Sequence, residues 1–318
     1  MKRLGILLTN TGTPDAPTTS AVRRYLREFL SDKRVVHLPR LIWLPILYGL
    51  ILPFRAKKSA ALYQHIWTTD SPMRLHMQAL GEKLAHYLQN ENTEVVVALG
   101  MNYGNPSMAN GLKTLFAAAI DELIVLPLYP QYSDTTTASS FDRVEAYIKN
   151  YTNLPPIKKI RSYATHPAYI QALANQIETH WETHGRAQHL LISYHGIPER
   201  FVKEGDPYQA ECEATTHALV KALDLQPGSY THCYQSKFGY DAWLQPSTQD
   251  LFNTLPSKGV RTIDVICPGF SVDCLETLDE IAIVGQEDFI KAGGETLHYI
   301  PALNASTGQV LALARIIN

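Results

Sequence analysis

No long apolar run interrupts this sequence. Its greasiest stretch lies within residues 38–54, and the unbroken part, Leu41 to Phe54, is 14 residues with Pro45 and Pro53 inside it. A membrane-spanning helix needs about 20 apolar residues, so the segment reads either as a core helix or as an apolar lip touching a membrane surface or a flat ligand. Trp43 and Tyr48 suit such an interface. A basic excess is also missing: 28 Lys and Arg stand against 30 Asp and Glu, for a formal charge of -2. No field is available to neutralise phosphates, and nucleic acid is not an expected partner. Cysteine is scarce, with Cys212, Cys233, Cys267 and Cys274 and no CxxC pair. A disulfide framework is not expected in a chain this long, and the pattern favours a reducing compartment. Cys267 ends an apolar run and reads as a reduced core thiol. Several nucleotide and hydrolase signatures are absent too. GMNYGNPS fails the GxGxxG pattern, no GxxxxGK[ST] occurs, and SYHGIP is not a GxSxG elbow.

The chain has 318 residues, of which 45% are hydrophobic. That suits two ordinary domains or one large α/β domain. The start, MKRLGILLTN, pairs two basic residues with a short apolar run. It breaks at Thr9-Asn10, too early for a secretory segment, so a first β-strand is expected.

Short apolar strands alternate with longer helical patterns. Strands are expected at 5–10, 94–104, 122–130, 157–163, 189–196, 229–239, 262–269 and 297–303. Helices are expected from near Ser20, over 74–90, over 106–120 with Pro106 in the first turn, and from Pro167, Asp206, Thr248 and Cys274. TNLPPI (152–157) breaks the pattern, and the same grammar then repeats. Near-continuous apolar strands between helices imply parallel sheets covered on both faces. The fold class is therefore α/β, with two similar Rossmann-like doubly wound domains. The expected boundaries are 1–155 and 156–304. Ligands in such folds bind beyond the carboxyl ends of the strands, which directs attention to the loops after residues 10, 101, 129, 193, 234 and 268.

Those loops carry aromatics, amides and hydroxyls but few cations. His195 follows the apolar LLISY directly, and Gly196 and Pro198 hold the chain beside it. Its imidazole can accept a proton or bind a metal; a structural histidine is the competing reading. The second cluster is CPGFSVDCLETLDEI. Asp273, Glu276 and Glu280 are three and four residues apart, so a helix would align them as an acidic stripe. Acidic residues also favour helix N-termini for electrostatic reasons alone. If His195 faces the stripe, the set can hold a divalent metal or pass protons, and its oxygen and imidazole donors suit ferrous iron or zinc.

Five segments carry a resemblance over nearly the whole length: LLTNTGTPDAP (7–17), YPQYSDTTTASS (129–140), SYHGIPER (193–200), YQSKFGYDAWLQP (234–246) and PGFSVDCLETLDEI (268–281). In this order the chain resembles the ferrochelatases, which insert iron into a porphyrin. The resemblance implies a chelatase-like fold with the active site in an interdomain cleft, and a C-terminal helix, about 305–318, joining the first domain. It implies His195 and Glu276 as catalytic and metal-site residues, with Asp273 and Glu280 as a relay for protons or metal. Porphyrin contacts are implied for Asn10, Thr11, Tyr103, Tyr129, Tyr132, Ser133, Lys237 and Trp243. The implied substrates are protoporphyrin IX and Fe2+, with no organic cofactor. Asn102, Thr11 and Asp134 depart from residues common in the family. No cysteine follows Cys274, so the iron–sulfur cluster of animal-type members is not expected. A cytoplasmic protein is implied, with peripheral contact at the inner face of the membrane through residues 38–54. A chelatase for another tetrapyrrole, a non-catalytic heme or metal carrier and a two-lobed binding protein remain as alternatives.

Overall fold

The computed structural model describes residues 2–239 and 241–318. Tyr240, inside one of the five segments, and Met1 lie outside the described residues. The chain is α/β and divides into two compact units. The first comprises residues 1–128 and 133–161, and the second comprises 129–132 and 162–316; Ile317 groups with the first unit and Asn318 with the second. The division thus falls a few residues beyond the TNLPPI break. The terminal helix, Thr307–Ile317, groups with the second unit in all but its last residue. A close helix contact explains this: a Cβ placed on Gly308 would lie 3.6 Å from the Cβ of Ala172.

Each unit holds a four-stranded parallel sheet. The first contains β1 (Lys2–Thr13), β2 (Thr93–Gly104), β3 (Glu122–Pro127) and β4 (Ile157–Lys159), in the order β2-β1-β3-β4. The second contains β5 (His189–His195), β6 (Tyr230–Gln235), β7 (Thr262–Ile266) and β8 (Thr296–Ile300), in the order β6-β5-β7-β8. The two orders are the same pattern repeated. In each, the chain reverses its direction of winding beside the first strand, which makes a topological switch point between β1 and β3 and another between β5 and β7. Ile6, Leu7 and Leu8 of β1 and Leu191 and Ile192 of β5 are fully buried. That double-sided burial accounts for the unalternating apolar runs. β1 runs past its expected end at residue 10, and its pairing with β2 continues through Gly12 opposite Tyr103 and Thr13 opposite Gly104.

Helix positions follow local chemistry. Thr18 caps Thr19–Leu30, accepting from the Ala21 amide at 3.3 Å. Pro72 opens the helix Pro72–Leu88, which buries Met73, Met77, Leu80 and Leu84 at helical spacing. Pro106 does not start its helix as expected. It follows a cis peptide, its carbonyl accepts from the Met101 amide at 2.8 Å, and Ser107 caps Met108–Ala117 instead.

The 38–54 segment is helical but is not a core helix. Arg40–Ile46 leads into a π-helical turn, Leu47–Ile51, and then into Leu52–Ile66. Leu47 and Leu52 are buried, whereas Leu41 is 93% and Phe54 75% exposed, and Ile42, Tyr48 and Leu50 are also exposed. The Trp43 indole donates to the Leu30 carbonyl at 2.6 Å. No helix among the described residues is long and apolar enough to cross a membrane.

Candidate active site

β5 is central in its sheet, and His195 is its last residue, paired in register with Gln235 of β6. The loop after β7, residues 267–274, leaves the same end of the sheet. His195 and this loop therefore flank the switch point of the second unit, the position at which open α/β sheets bind ligands.

The orientation of His195 is set by its own loop. Nδ1 lies 2.7 Å from the carbonyl oxygen of Gly196. A carbonyl only accepts, so Nδ1 carries the hydrogen and the neutral ring keeps its lone pair on Nε2. Gly196 is required by its surroundings: a Cβ there would lie 3.0 Å from the Gln235 carbonyl oxygen and 3.1 Å from the Trp243 ring. Trp243 thus packs on the turn that follows His195. Its strand-like bridge to Pro198, with Leu244 donating to Ile197 at 3.1 Å, fixes the 196–200 loop.

The acidic segment is built differently from a regular helix. A single α turn, Leu275–Thr277, passes into a π-helix, Leu278–Gly285, and returns to α-helix over Gln286–Lys291. Such π segments are rare and cluster at functional sites. Glu276 sits in the first turn and Glu280 in the wider one. The Gln235 side chain donates to the Glu276 carbonyl at 2.8 Å and accepts from Ser193 at 2.9 Å, tying the segment to the ends of β5 and β6. Glu280 accepts from the Ser236 amide and hydroxyl, each at 2.6 Å. Burial is the largest influence on its carboxyl and raises its pKa. The Ser236 hydrogen bonds and the charge of His195 pull in the opposite direction, while Glu276 pushes it further up. His195 and Glu276 therefore each lie within electrostatic reach of Glu280.

Asp273 does not join them on the stripe. It precedes the helix and is buried. Its carboxylate accepts from Thr277 at 3.0 Å, Tyr299 at 2.5 Å, Asn304 at 2.6 Å and the Ala302 amide at 3.3 Å. With its oxygens occupied in this way, Asp273 fastens the 267–274 loop to the segment after β8.

The porphyrin contacts implied by the resemblance fall into two groups. In the second unit, Trp243 is half-buried beside His195, Lys237 is exposed, and the Tyr132 amide donates to Glu211 at 2.7 Å. Tyr129 is half-buried in the same unit. In the first unit, Asn10 and Thr11 occupy the carboxyl end of β1, with the Thr11 amide donating to the Asn10 side chain at 2.8 Å. Two residues of this group carry structural roles. Tyr103 is buried, its hydroxyl donates to Asp32 at 2.8 Å, and the Arg143 guanidinium lies 4.6 Å from its ring centroid. Ser133 is buried and caps the turn at 134–138 through the Thr135 amide. Asn102 is likewise internal and accepts from Ser140 at 2.9 Å.

Gln235 and Ser236 were not singled out from the sequence, although they orient the acidic segment. Their sequence signal is their place at the end of β6, inside the segment 234–246 that carries the resemblance. All four cysteines are buried free thiols whose pKa is pushed up by burial, none suited to act as a thiolate.

Comparison with known proteins agrees with this arrangement. A ferrochelatase family model matches residues 3–318. The ferrochelatase of Aeromonas hydrophila is 47% identical over 316 residues, spanning 99% of this chain and 98% of that protein. That of Vibrio atlanticus is 48% identical over 317 residues, with 99% and 98% covered. Among solved structures, SirB from Bacillus subtilis with Fe3+ superposes with a TM-score of 0.56 at 8% identity, covering 100% of this chain and 94% of that one. CbiX, the terminal enzyme for siroheme biosynthesis in denitrifying bacteria, gives 0.53 at 14% identity, covering 99% and 98%. These two likenesses establish the chelatase-like fold. The match along the whole sequence, at close to half identity, establishes more: the chain belongs to the ferrochelatase family, enzymes that insert iron into a porphyrin.

Proposed function

We propose that this enzyme inserts Fe2+ into protoporphyrin IX to give protoheme with release of two protons, and that His195 is its proton acceptor. The observation that carries the assignment is the hydrogen bond from His195 Nδ1 to Gly196. It leaves Nε2 as a fixed lone pair at the end of the central strand, with the Glu280 carboxylate within its electrostatic reach. A flat macrocycle must lose two pyrrole protons as the metal enters. Nε2 accepts a pyrrole proton, and the imidazolium formed is balanced by Glu276 and Glu280. Glu276, in the first turn, shares the incoming iron with His195 Nε2 before that nitrogen takes the proton. Glu280, with its raised pKa, passes protons onward. Trp243 supplies an aromatic wall and Lys237 a cation for a propionate, with Asn10, Thr11, Tyr129 and Tyr132 as further ring contacts. The test is metalloporphyrin absorbance with purified protein and Fe2+ or Co2+. Protoporphyrin, coproporphyrin and sirohydrochlorin are supplied in turn. Turnover of sirohydrochlorin alone would overturn the substrate assignment.

The two acidic positions separate by readout. Activity that needs ionised Glu280 rises with pH through its raised pKa. Glu280→Gln should lower the insertion rate and flatten this acid limb. Asp273→Asn should instead cost about 2 kcal/mol in urea denaturation, because one donor of its buried network meets an amide nitrogen. Its pH–rate profile should keep the wild-type shape.

The second part of the reading places the enzyme in the cytoplasm, at the inner face of the membrane. Arg23, Arg24 and Arg27 line an open pocket with Tyr48, Leu52 and Pro53, and exposed Leu50 and Phe54 belong to the same helical segment as these last three. Apolar side chains beside cations suit an anionic lipid surface. Phe54→Asp should weaken co-sedimentation with phosphatidylglycerol vesicles about 30-fold, from the loss of about 2 kcal/mol of apolar burial. Its thermal melt should match wild type. Unchanged vesicle binding would remove this contact. Leu47 and Leu52, within the same segment, are core residues and unsuitable for the test.

A further inference from the structure

Away from His195, the second unit gathers another set of metal-binding side chains. Asp264 of β7 and His298 of β8 are direct partners in the strand register. The end of the helix Pro167–His184 brings His180 over them. One ligand atom from each of His180, Asp264 and His298 lies within 4.8 Å of the others. Asp264 Oδ1 is 3.3 Å from His298 Nδ1 and 3.8 Å from His180 Nε2. Ligands of a tetrahedral ion bound at about 2.1 Å stand about 3.4 Å apart, so these two edges already have the spacing of a coordination shell.

Two further observations distinguish this from a chance meeting of side chains. His180 is more than nine-tenths buried, and its Nε2 has no hydrogen-bond partner. A buried ring nitrogen without a partner is costly, and it points at the same carboxylate oxygen that His298 approaches. Asp264 is also held as metal-binding carboxylates commonly are. Its other oxygen, Oδ2, accepts from the Trp181 indole at 2.7 Å and from the Ala187 amide at 3.1 Å. Those donors fix the carboxylate and leave Oδ1 for the histidines. His184 stacks on His180 with ring centroids 4.3 Å apart.

We propose that His180, Asp264 and His298 bind a divalent first-row transition ion, zinc above all, separate from the site of iron insertion. Two imidazoles and one carboxylate are borderline donors that select zinc or ferrous iron over magnesium and calcium. Water completes the shell. The ion ties the carboxyl end of helix 167–184 to β7 and to the edge strand β8, so its role is structural.

The test is zinc titration of chelator-stripped protein by calorimetry, with Co2+ absorbance and thermal melting alongside. His195→Ala isolates this site from the insertion site and should keep one zinc equivalent. His298→Ala should lose that equivalent, along with the visible band of tetrahedral cobalt and the zinc-dependent rise in melting temperature. It should retain wild-type iron insertion. His298 is a third exposed, and His298→Gln provides a second variant of similar size. Trp181→Phe should bind zinc about tenfold more weakly, through loss of one carboxylate anchor. Magnesium and calcium should give no heat. Equal zinc isotherms for wild type and both His298 variants would overturn the proposal, as would the absence of zinc binding in His195→Ala.

Discussion

Alanine at position 195 is expected to lower iron insertion by about 100- to 10,000-fold, the usual worth of a positioned general base. The loss is confined to chemistry by the way the residue is held. His195 is the last residue of β5, and its side chain makes its hydrogen bond to Gly196 in its own loop. The loop itself stays pinned by the Trp243–Pro198 bridge and the Leu244–Ile197 hydrogen bond, neither of which uses the imidazole. Strand β5 keeps its buried Leu190, Leu191 and Ile192. The melting temperature should therefore move little, and porphyrin affinity, read by quenching of porphyrin fluorescence, should stay near wild type. A variant that inserts iron at the wild-type rate would end the assignment of His195 as base. One that merely unfolds would return the residue to a structural role.

Much of the fold was legible because buried parallel strands leave an unmistakable pattern. Each of the eight expected strands exists, and runs such as LLI (190–192) and LIVL (123–126) leave no polar residue to place on a wet face. Strand ends were less legible. The extension of β1 to Thr13 depends on Gly12, whose φ of +104° and close approach to the Tyr103 carbonyl only a glycine tolerates. Nothing in TNTGT announces that pairing. The acidic segment shows a different limit. Spacing of three and four placed Asp273, Glu276 and Glu280 on one α-helical face. The π-helix widens that turn, and Asp273 stands before the helix in a network with Tyr299 and Asn304 from some thirty residues later. Partners so distant in sequence are set by tertiary packing and leave no local trace. The same is true of Tyr103, for which the resemblance implied a ligand contact. Its hydroxyl is turned inward to Asp32. The His180–Asp264–His298 cluster escaped notice for a related reason: one residue comes from a helix and two from adjacent strands, at no motif spacing.

A second large effect is expected on acidification, and it centres on His232. This residue of β6 stacks on Tyr194 with ring centroids 5.0 Å apart and meets Tyr234 edge-on at 4.8 Å. Its Nδ1 lies 2.8 Å from the Thr216 hydroxyl, and its Nε2 has no hydrogen-bond partner. Burial is the dominant influence and lowers its pKa from 6.5 to about 4; Glu213 opposes this and His217 adds to it. Burial also pushes the phenols of Tyr194 and Tyr234 far up, so neither supplies a negative charge to stabilise an imidazolium. A histidine with a depressed folded pKa is protonated first in the unfolded chain. Its contribution to stability is complete above the unfolded value of about 6.5 and is lost as pH falls toward 4. Each pH unit in that window costs about 1.4 kcal/mol, and the whole interval about 3 kcal/mol. His232→Phe keeps a ring between the two tyrosines and removes the titration. Its stability at pH 7 should fall modestly through loss of the Thr216 hydrogen bond. Between pH 6.5 and 4, its urea midpoint should decline less steeply than that of wild type, by this amount in free energy. Parallel curves for the two proteins would show that His232 is not the group whose protonation drives acid unfolding.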